Sequence, residues 1–285
     1  MRAGLVQLTS GDDPAANLAA TETRVREAAA GGATFVLTPE VTNILSGSRT
    51  RQEEVLRTEE EDPTLARLRD VAAELGLWLL IGSLALRTGE ARFANRSFLI
   101  GPAGGIAARY DKIHMFDVDL DDDTSYRESD GYRPGDRAVL AQGPEGAQLG
   151  MTICYDMRFP GLYRELAQAG AEILTVPAAF TVPTGRAHWE VLLRARAIET
   201  GCFVLAPAQV GTHPRSRGPE RRTWGHSLAI SPWGEVLGDG GEAPGVTLVD
   251  LDLADVGKAR RQIPSLANAR PYTLDDLTTP RAAAE

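Results

Sequence analysis

The segment GMTICYDMRFPG, residues 150–161, contains the pattern that decides the fold. The apolar run 151–153 is typical of a buried strand, and Cys154 follows it directly. Pro160 then favours the first turn of a helix, because it lacks an N–H and its φ is already helical. We therefore predict a strand, a sharp turn at Cys154 and a helix. Such a turn presents the thiol beside free backbone N–H groups, although most free cysteines are buried and inert.

The sequence on both sides of this segment alternates between strand and helix patterns. Two predicted helices begin at the Asp-Pro pairs 13–14 and 62–63, and both end at glycine. These are usual start and stop signals for helices. A loop of 25 residues, 114–138, is rich in Asp and Gly, and loops of that length are usually functional or disordered. The alternation predicts an α/β or layered α+β fold in which helices cover sheets.

Composition excludes several classes of function. The chain has 285 residues and a formal net charge of −9, which argues against nucleic-acid partners and against docking on anionic membranes. The N-terminus lacks the apolar region of a signal peptide, and no apolar run is long enough to span a membrane. Two cysteines form no disulfide framework in a chain of this size. We therefore expect reduced thiols and a cytoplasmic protein.

Two more polar residues close predicted strands. Glu40 ends the apolar strand FVLTPE, and Lys112 lies in ARYDKIHMFD where a strand turns into the long loop. A carboxylate or an ammonium at the end of a buried strand is costly unless it is paired or reaches water. Taken singly, each is more simply explained as a solvated charge. Taken with Cys154, the three residues are candidates for one active site, because catalytic groups collect at strand ends in layered α/β proteins.

A cysteine nucleophile requires a base, because only the thiolate attacks and an ordinary thiol has a pKa of about 8.5. No sequence pattern ties Cys154 to any of the four histidines, His114, His188, His213 and His226. A buried carboxylate such as Glu40 is the other option.

The order of Glu40 in LTPE, Lys112 in YDKIHMFD and Cys154 in ICYDMRFP resembles the nitrilase superfamily of carbon–nitrogen hydrolases. Further segments are similar to the Nit branch of that superfamily: ESDGYRPGD, TGRAHWEVLLRARAIET, WGHSLAISPWGEVL and RRQIP. The resemblance covers roughly residues 2–272. It implies a four-layer α-β-β-α sandwich, with a single domain at 1–272 and a C-terminal tail at 273–285.

The resemblance also implies roles for individual residues. Cys154 would attack an amide carbonyl, and Glu40 would accept the thiol proton and pass it to the departing ammonia. Lys112 and the backbone N–H of Tyr155 would hold the oxyanion. Glu128, in the ES…PG motif, would orient Lys112 or the substrate. This Cys-Glu-Lys set would work through a thioester, without a cofactor or a metal. The resemblance also implies a homodimer or higher homo-oligomer whose subunits meet near the helix that contains Glu190.

The substrate-binding residues are predicted from the same segments. Phe180 and Thr184 lie in AAFTVPTGRAHW, which is similar to the family's pocket-lining segment. Arg158 either binds a substrate carboxylate or forms a structural salt bridge. Arg186 replaces a proline that is common in the Nit branch, and it either alters substrate choice or faces solvent. The resemblance implies a small carboxylate-bearing amide as the substrate, such as deaminated glutathione or an ω-amide of a 2-oxo dicarboxylate.

Other functions remain open at this point. A nitrilase or an N-carbamoyl amino acid amidohydrolase would use the same Glu-Lys-Cys set. A Cys-His hydrolase on another fold, or a catalytically idle binding or scaffold protein, would use a different set or none. The acidic loop 117–128 partly matches a calcium-binding EF-hand loop, but Asp122 stands where that loop requires glycine, so we predict no metal there.

Several remaining residues are predicted to serve packing or hydrogen bonding. On the predicted helix 187–201, the apolar residues at 191, 192, 195 and 198 share one face, which either packs in the core or, as the resemblance implies, joins two subunits. The same kind of role is predicted for five further residues: Trp224, Trp233, His188, His226 and the strand residue Cys202.

Overall fold

The computed structural model of the protein describes residues 1–121 and 124–275. The strands are β1 (Arg2–Gln7), β2 (Phe35–Leu37), β3 (Trp78–Leu86), β4 (Ala94–Ile100), β5 (Ile106–Asp111), β6 (Asp117–Asp121), β7 (Thr124–Arg127), β8 (Val139–Gln142), β9 (Gln148–Met151), β10 (Ile173–Thr175), β11 (Phe203–Ala206), β12 (Val210–Thr212), β13 (Arg222–Trp224), β14 (Leu228–Ile230), β15 (Val236–Asp239) and β16 (Gly245–Asp250). The helices are α1 (Pro14–Ala30), α2 (Arg49–Val55), α3 (Pro63–Leu75), α4 (Glu128–Gly131), α5 (Pro160–Gln168), α6 (Val182–Thr200) and α7 (Ala254–Gln262).

Two six-stranded sheets form the centre of the molecule. Their strand orders are β16-β1-β2-β3-β4-β5 and β15-β14-β11-β10-β9-β8. The inner strands β1, β2 and β3 are parallel, as are β9, β10 and β11, whereas the outer strands pair antiparallel. Parallel strands are buried on both faces, which agrees with their continuous apolar sequences.

The two faces of the first sheet contribute to different cores. Leu37 and Leu80 pack with residues of the second sheet such as Met151, whereas Val36 and Leu79 belong to a separate cluster with side chains of α1 and α3. Alternate residues along a strand point to opposite faces, so one face meets the other sheet and the second face meets the helices. Residues of α5 and α6 pack with the second sheet. The predicted four-layer α-β-β-α sandwich is confirmed.

The predicted start signals of the first two long helices are confirmed. The Asp13 carboxylate accepts hydrogen bonds from the N–H groups of Ala15 and Ala16, and the Asp62 carboxylate accepts one from Leu65 N–H at 2.8 Å. Gly76 ends α3 in the left-handed conformation, with φ of 62°, which glycine adopts without strain.

Five elements differ from the sequence-based expectation. The long loop 114–138 contains the β6–β7 hairpin and the short helix α4, and α2 was not predicted at all. Helix α6 begins at Val182, five residues before the predicted start, because a proline in the first turn has no N–H to leave unpaired. Asp122 and Asp123 of the acidic loop, and residues 276–285 of the predicted tail, lie outside the described residues.

The alternative in which the 191/198 face of α6 packs in the core is wrong. Val191 is 67% exposed and Ile198 is 53% exposed, while Trp189, Leu193 and Ala197 on another face are buried. The large aromatic Trp189 therefore sets the rotation of the helix against the sheet. Trp233, which was predicted to serve packing or hydrogen bonding, is 53% exposed.

Candidate active site

Glu40, Lys112 and Cys154 all lie just beyond strand ends. Glu40 follows β2 and Lys112 follows β5 of the first sheet, whereas Cys154 follows β9 of the second sheet. Their exposed fractions are 5%, 2% and 6%. The simpler interpretation of Glu40 and Lys112 as solvated charges is therefore wrong, because both are buried. The site lies where the two sheets bring their strand ends together.

The backbone at Cys154 forms the sharp turn that the sequence predicts. Cys154 has a positive φ of 49°, and its N–H donates to the carbonyl of Pro177 at 2.9 Å. It opens a 3-10 helix, Cys154–Arg158, that leads into α5 at Pro160. A positive φ is uncommon for a residue with a Cβ and is concentrated at functional sites. Tyr155 is the second residue of this helix, where an N–H has no acceptor within the helix.

The turn is held by Asp156, which the sequence analysis did not identify. This fully buried carboxylate accepts hydrogen bonds from Ile153 N–H at 2.8 Å and from the Tyr110 hydroxyl at 2.7 Å. It also accepts from His114 N–H at 3.0 Å, and His114 Nδ1 lies 2.7 Å from it. Asp156 thus fastens the cysteine turn to the segment that follows Lys112.

Lys112 lies between two carboxylates. Its Nζ is 2.8 Å from Glu40 Oε1, and it is 3.0 Å and 2.8 Å from the two oxygens of Glu128. Phe116 N–H also donates to Glu128 Oε2 at 2.7 Å. Burial alone would lower the pKa of Lys112, but the charges of Glu128 and Glu40 outweigh burial and raise it well above its ordinary value. Lys112 is therefore a permanent cation.

Asn95 is a second residue that the sequence analysis missed. Its Nδ2 donates to Glu40 Oε1 at 2.9 Å and lies 3.2 Å from Glu128 Oε1, so one amide bridges both carboxylates. Asn95 is 2% exposed and lies on β4. The only available signal was a polar residue inside the strand sequence ANRSFLI, and that pattern does not reveal its partners.

The thiol of Cys154 is a weak acid in this setting. Burial raises its pKa well above the ordinary value, and the charge of Glu40 raises it further, against the opposing charge of Lys112. The thiol is therefore protonated at neutral pH and requires a base. Glu40 is in place for that role, and Ala179 N–H donates to its second oxygen at 2.9 Å.

A cavity of about 700 Å³ opens at these residues. That volume suits a ligand of several hundred daltons. Its lining includes Glu40, Asn95, Lys112, Glu128, Cys154, Phe116, Tyr126, Tyr132, Phe180, Thr184, Arg49, Arg127 and Arg221.

The predicted substrate-binding residues are divided between the cavity and its surroundings. Phe180 and Thr184 line it, whereas the side chains of Tyr155 and Arg158 are not part of its lining. Arg158 Nη2 is 3.2 Å from His188 Nδ1, and its guanidinium lies 5.5 Å from the Phe180 ring. Arg158 forms no ion pair with a carboxylate of the described residues, so the salt-bridge alternative finds no support.

Arg186 is exposed and stacks on Trp224, with 5.7 Å between the guanidinium carbon and the ring centroid. It is not among the residues of the cavity wall. The solvent-facing alternative for Arg186 therefore agrees with the structure.

None of the four histidines belongs to the described lining of the cavity. His213 is buried and bonds Ser10 and Thr223, and His226 faces Asp239 at 3.0 Å. The described part of the chain thus offers no Cys-His pair in the cavity. Within residues 1–121 and 124–275, no cluster of histidine, cysteine, aspartate and glutamate has the arrangement of a metal site. No helix of these residues is long and apolar enough to cross a membrane.

The sequence matches the carbon-nitrogen hydrolase family over residues 2–261. The chain belongs to this family. It is 42% identical over 269 residues to the deaminated glutathione amidase of Yersinia enterocolitica, covering 93% of this chain and 92% of that protein. The deaminated glutathione amidase of Bos taurus is 38% identical over 280 residues, covering 96% of this chain and 83% of that protein.

The fold of this carbon-nitrogen hydrolase is also found among solved structures. The NitFhit protein of C. elegans superimposes with a TM-score of 0.87 at 32% identity, over 94% of this chain and 65% of that one. The chain therefore spans about two thirds of the NitFhit protein. The predicted nitrilase-type fold and the predicted Nit-branch kinship are confirmed, and the protein is an amidase of the class that hydrolyses carbon–nitrogen bonds other than peptide bonds.

Proposed function

We propose that the protein hydrolyses the amide of a short, carboxylate-bearing acyl chain, with Cys154 as the nucleophile. The substrates that we expect it to hydrolyse are deaminated glutathione and the ω-amide of a 2-oxo dicarboxylate. One observation carries the proposal: the buried thiol of Cys154 lines a ligand-sized cavity together with Glu40 and with Lys112, whose Nζ lies 2.8 Å from Glu40 Oε1. The two amidase relatives support the substrate class.

The reaction follows from these positions. Glu40 takes the thiol proton as the sulfur attacks the amide carbon, and the carbonyl oxygen becomes an oxyanion beside Lys112 and the Tyr155 N–H. When the carbon–nitrogen bond breaks, Glu40 returns the proton to the leaving amine and a thioester remains on Cys154. Glu40 then removes a proton from water, which attacks the thioester and releases the acid and the thiol. Such general acid–base help is worth roughly 10²–10⁴ in rate, and an oxyanion donor about 10²–10³.

The leaving group depends on the amide. A primary ω-amide releases ammonia, as the sequence analysis expected. Deaminated glutathione is a secondary amide, so its leaving group is the amino group of a peptide and an ammonia assay does not detect it. The acid product is common to both substrates and is the quantity to measure.

Glu128 is proposed as a positioning residue rather than a proton carrier. Its two oxygens accept from Lys112 and one also accepts from Phe116 N–H, so its hydrogen-bonding capacity is largely used in holding the lysine. This arrangement keeps Lys112 charged and fixed where negative charge develops on the substrate oxygen.

The test is a substrate comparison with the intact protein. Deaminated glutathione, 2-oxoglutaramate, an aliphatic nitrile and an N-carbamoyl amino acid are incubated separately, and the acid products are quantified while mass spectrometry follows an acyl adduct on Cys154. We expect turnover of the first two, a loss of at least about 10²-fold in Glu40→Gln, and no activity in Cys154→Ala. Cys202→Ser is the matched control, because Cys202 is the other buried thiol and bonds Ala171 outside the cavity.

Three results would contradict the proposal. If all four compounds give neither product nor adduct, the protein has a binding or scaffold role instead. If Glu40→Gln retains full activity, Glu40 is not the base. If the nitrile or the carbamoyl compound is turned over faster than the amides, that compound class and not the amide is the substrate.

We also propose that the protein is a homodimer or higher homo-oligomer that works in the cytoplasm. Val191 and Ile198 lie seven residues apart on one face of α6, and Trp233 lies in the turn that contacts α6 through Gly234. Large apolar side chains that are exposed close together are typical of a subunit interface. The cytoplasmic location is supported by the two cysteines, Cys154 and Cys202, which are both free thiols.

A further inference from the structure

Arg221 is a cation of the cavity wall that lacks a carboxylate partner among the described residues. Its Nη2 donates to the carbonyl of Ala179 at 3.1 Å, and its guanidinium carbon lies 4.7 Å from the centre of the Tyr126 ring. A guanidinium has five N–H donors in a planar fork. Neither contact neutralises its charge, so most of that fork is available to an anion in the cavity.

The other cations of the cavity are already neutralised. Lys112 pairs with Glu40 and Glu128, Arg49 with Glu53, and Arg127 with Asp119 at 2.7 Å. Glu220, which lines the cavity beside Arg221, lies 4.0 Å from the guanidinium of Arg215. An anionic group that enters the cavity therefore meets Arg221 as its best-matched partner.

The distance between Arg221 and the proposed base Glu40 is limited by one residue, Ala179, that bonds both. Ala179 N–H donates to Glu40 at 2.9 Å, and the carbonyl of the same residue accepts from Arg221 at 3.1 Å. Given the dimensions of one residue, the guanidinium nitrogen and the Glu40 carboxylate are no more than about 10 Å apart. An acyl chain of about four to five carbons fits within this limit, with the amide beside Glu40 and a carboxylate at the arginine, and Cys154 lines the same cavity.

We propose that Arg221 binds the free carboxylate of the acyl half of the substrate and thereby selects mono-amides of short dicarboxylic acids over uncharged amides. This inference rests on the proposed amidase function and deepens it. Arg221 takes the role that the sequence analysis considered for Arg158, whose side chain is not part of the cavity lining. Two parallel N–H···O bonds hold the carboxylate, and Tyr126 keeps the guanidinium plane in position.

The test compares two substrates that differ only in the terminal carboxylate, glutaramate and pentanamide. We expect Arg221→Gln to lower kcat/KM for glutaramate at least about 30-fold while leaving kcat/KM for pentanamide within about twofold. Arg221→Lys should recover part of the loss, because an ammonium keeps the charge but not the fork. Arg222→Gln is the matched control: it is the neighbouring arginine, and it is exposed and not part of the cavity lining.

A binding measurement separates this inference from the proposed function. Calorimetry of glutarate with the Cys154→Ala protein should give binding that Arg221→Gln weakens at least about 30-fold and Arg222→Gln leaves unchanged. If no amide is hydrolysed but glutarate binding depends on Arg221, the amidase proposal fails and the carboxylate site stands. If amides are hydrolysed but Arg221→Gln affects both substrates equally, or neither, the inference is overturned.

Discussion

At the scale of single residues, the site consists of charges that are buried because each is paired. Lys112 lies between Glu40 and Glu128, and Asn95 bridges the same two carboxylates. Unpaired charges in such an environment would cost several kcal/mol each. The pairing also fixes the position of Glu40 in the wall of the cavity that Cys154 lines.

Asn95 is expected to act on catalysis through Glu40. Replacing it with alanine removes an amide that fixes Glu40 Oε1, and a displacement of about 1 Å in a catalytic group can reduce the rate about 10²-fold. We expect Asn95→Ala to lower kcat about 10- to 100-fold with little change in KM. Ser97→Ala is the matched control, since Ser97 lies on the same strand, is equally buried and bonds Ile81. Equal losses in the two variants would contradict the positioning role.

At the scale of elements, the candidate residues are brought together because each follows the end of a strand. β2, β5 and β9 each stop one to three residues before a catalytic candidate, and α5 begins shortly after Cys154.

The start of helix α3 also depends on a single buried residue. Its cap residue Asp62 is 5% exposed, and burial raises its pKa despite hydrogen bonds from Leu65 and Asn43.

The Asp62 cap can be tested by stability measurements. We expect Asp62→Ala to lower the free energy of unfolding by about 1–2 kcal/mol, because the first turn of α3 loses its acceptor. Asp62→Asn should cost less, since an amide oxygen still accepts from Leu65 N–H and no charge has to be buried. Urea denaturation measures both, with the exposed Asp70→Ala on the same helix as the control. A larger loss in Asp62→Asn than in Asp62→Ala would contradict this account.

At the scale of the whole molecule, distant parts of the chain are joined by buried polar groups. His213 Nδ1 is 2.7 Å from the Ser10 carbonyl, and Nε2 is 2.7 Å from the Thr223 hydroxyl. Burial, with a smaller contribution from the charge of Arg221, lowers the pKa of His213 to about 4. The histidine is therefore neutral in the folded protein at pH 7.

This lowered pKa has a defined consequence for stability. Between pH 6.5 and pH 4 the unfolded chain binds a proton at His213 and the folded protein does not, so the free energy of unfolding falls as the pH falls. The shift corresponds to a loss of about 3 kcal/mol over this range, and none above pH 7. His213→Gln should show a shallower slope of unfolding free energy against pH. An unchanged slope would contradict the assignment, whatever the variant's stability at pH 7.

The exposed face of α6 makes a prediction about assembly. A lysine at an apolar interface buries an unpaired charge, so Ile198→Lys combined with Trp233→Lys should convert the proposed oligomer to monomers. Light scattering measures the mass, and Leu248→Lys, another exposed apolar position but on β16, is the control. A native chain that is monomeric at micromolar concentration would contradict the proposal.

The sequence alone determined the features that depend on neighbours along the chain. The Asp-Pro helix starts, the turn at Cys154 and the layered α/β class follow from local backbone preferences and apolar periodicity, and the Glu-Lys-Cys order pointed to the family. The tertiary structure decided what depends on distant partners. It showed that Glu40 and Lys112 are buried, that Asn95 and Asp156 hold the site, that Arg221 rather than Arg158 lines the cavity, and that one face of α6 is exposed. These contacts join residues tens of positions apart, and a one-dimensional pattern carries no distance between them.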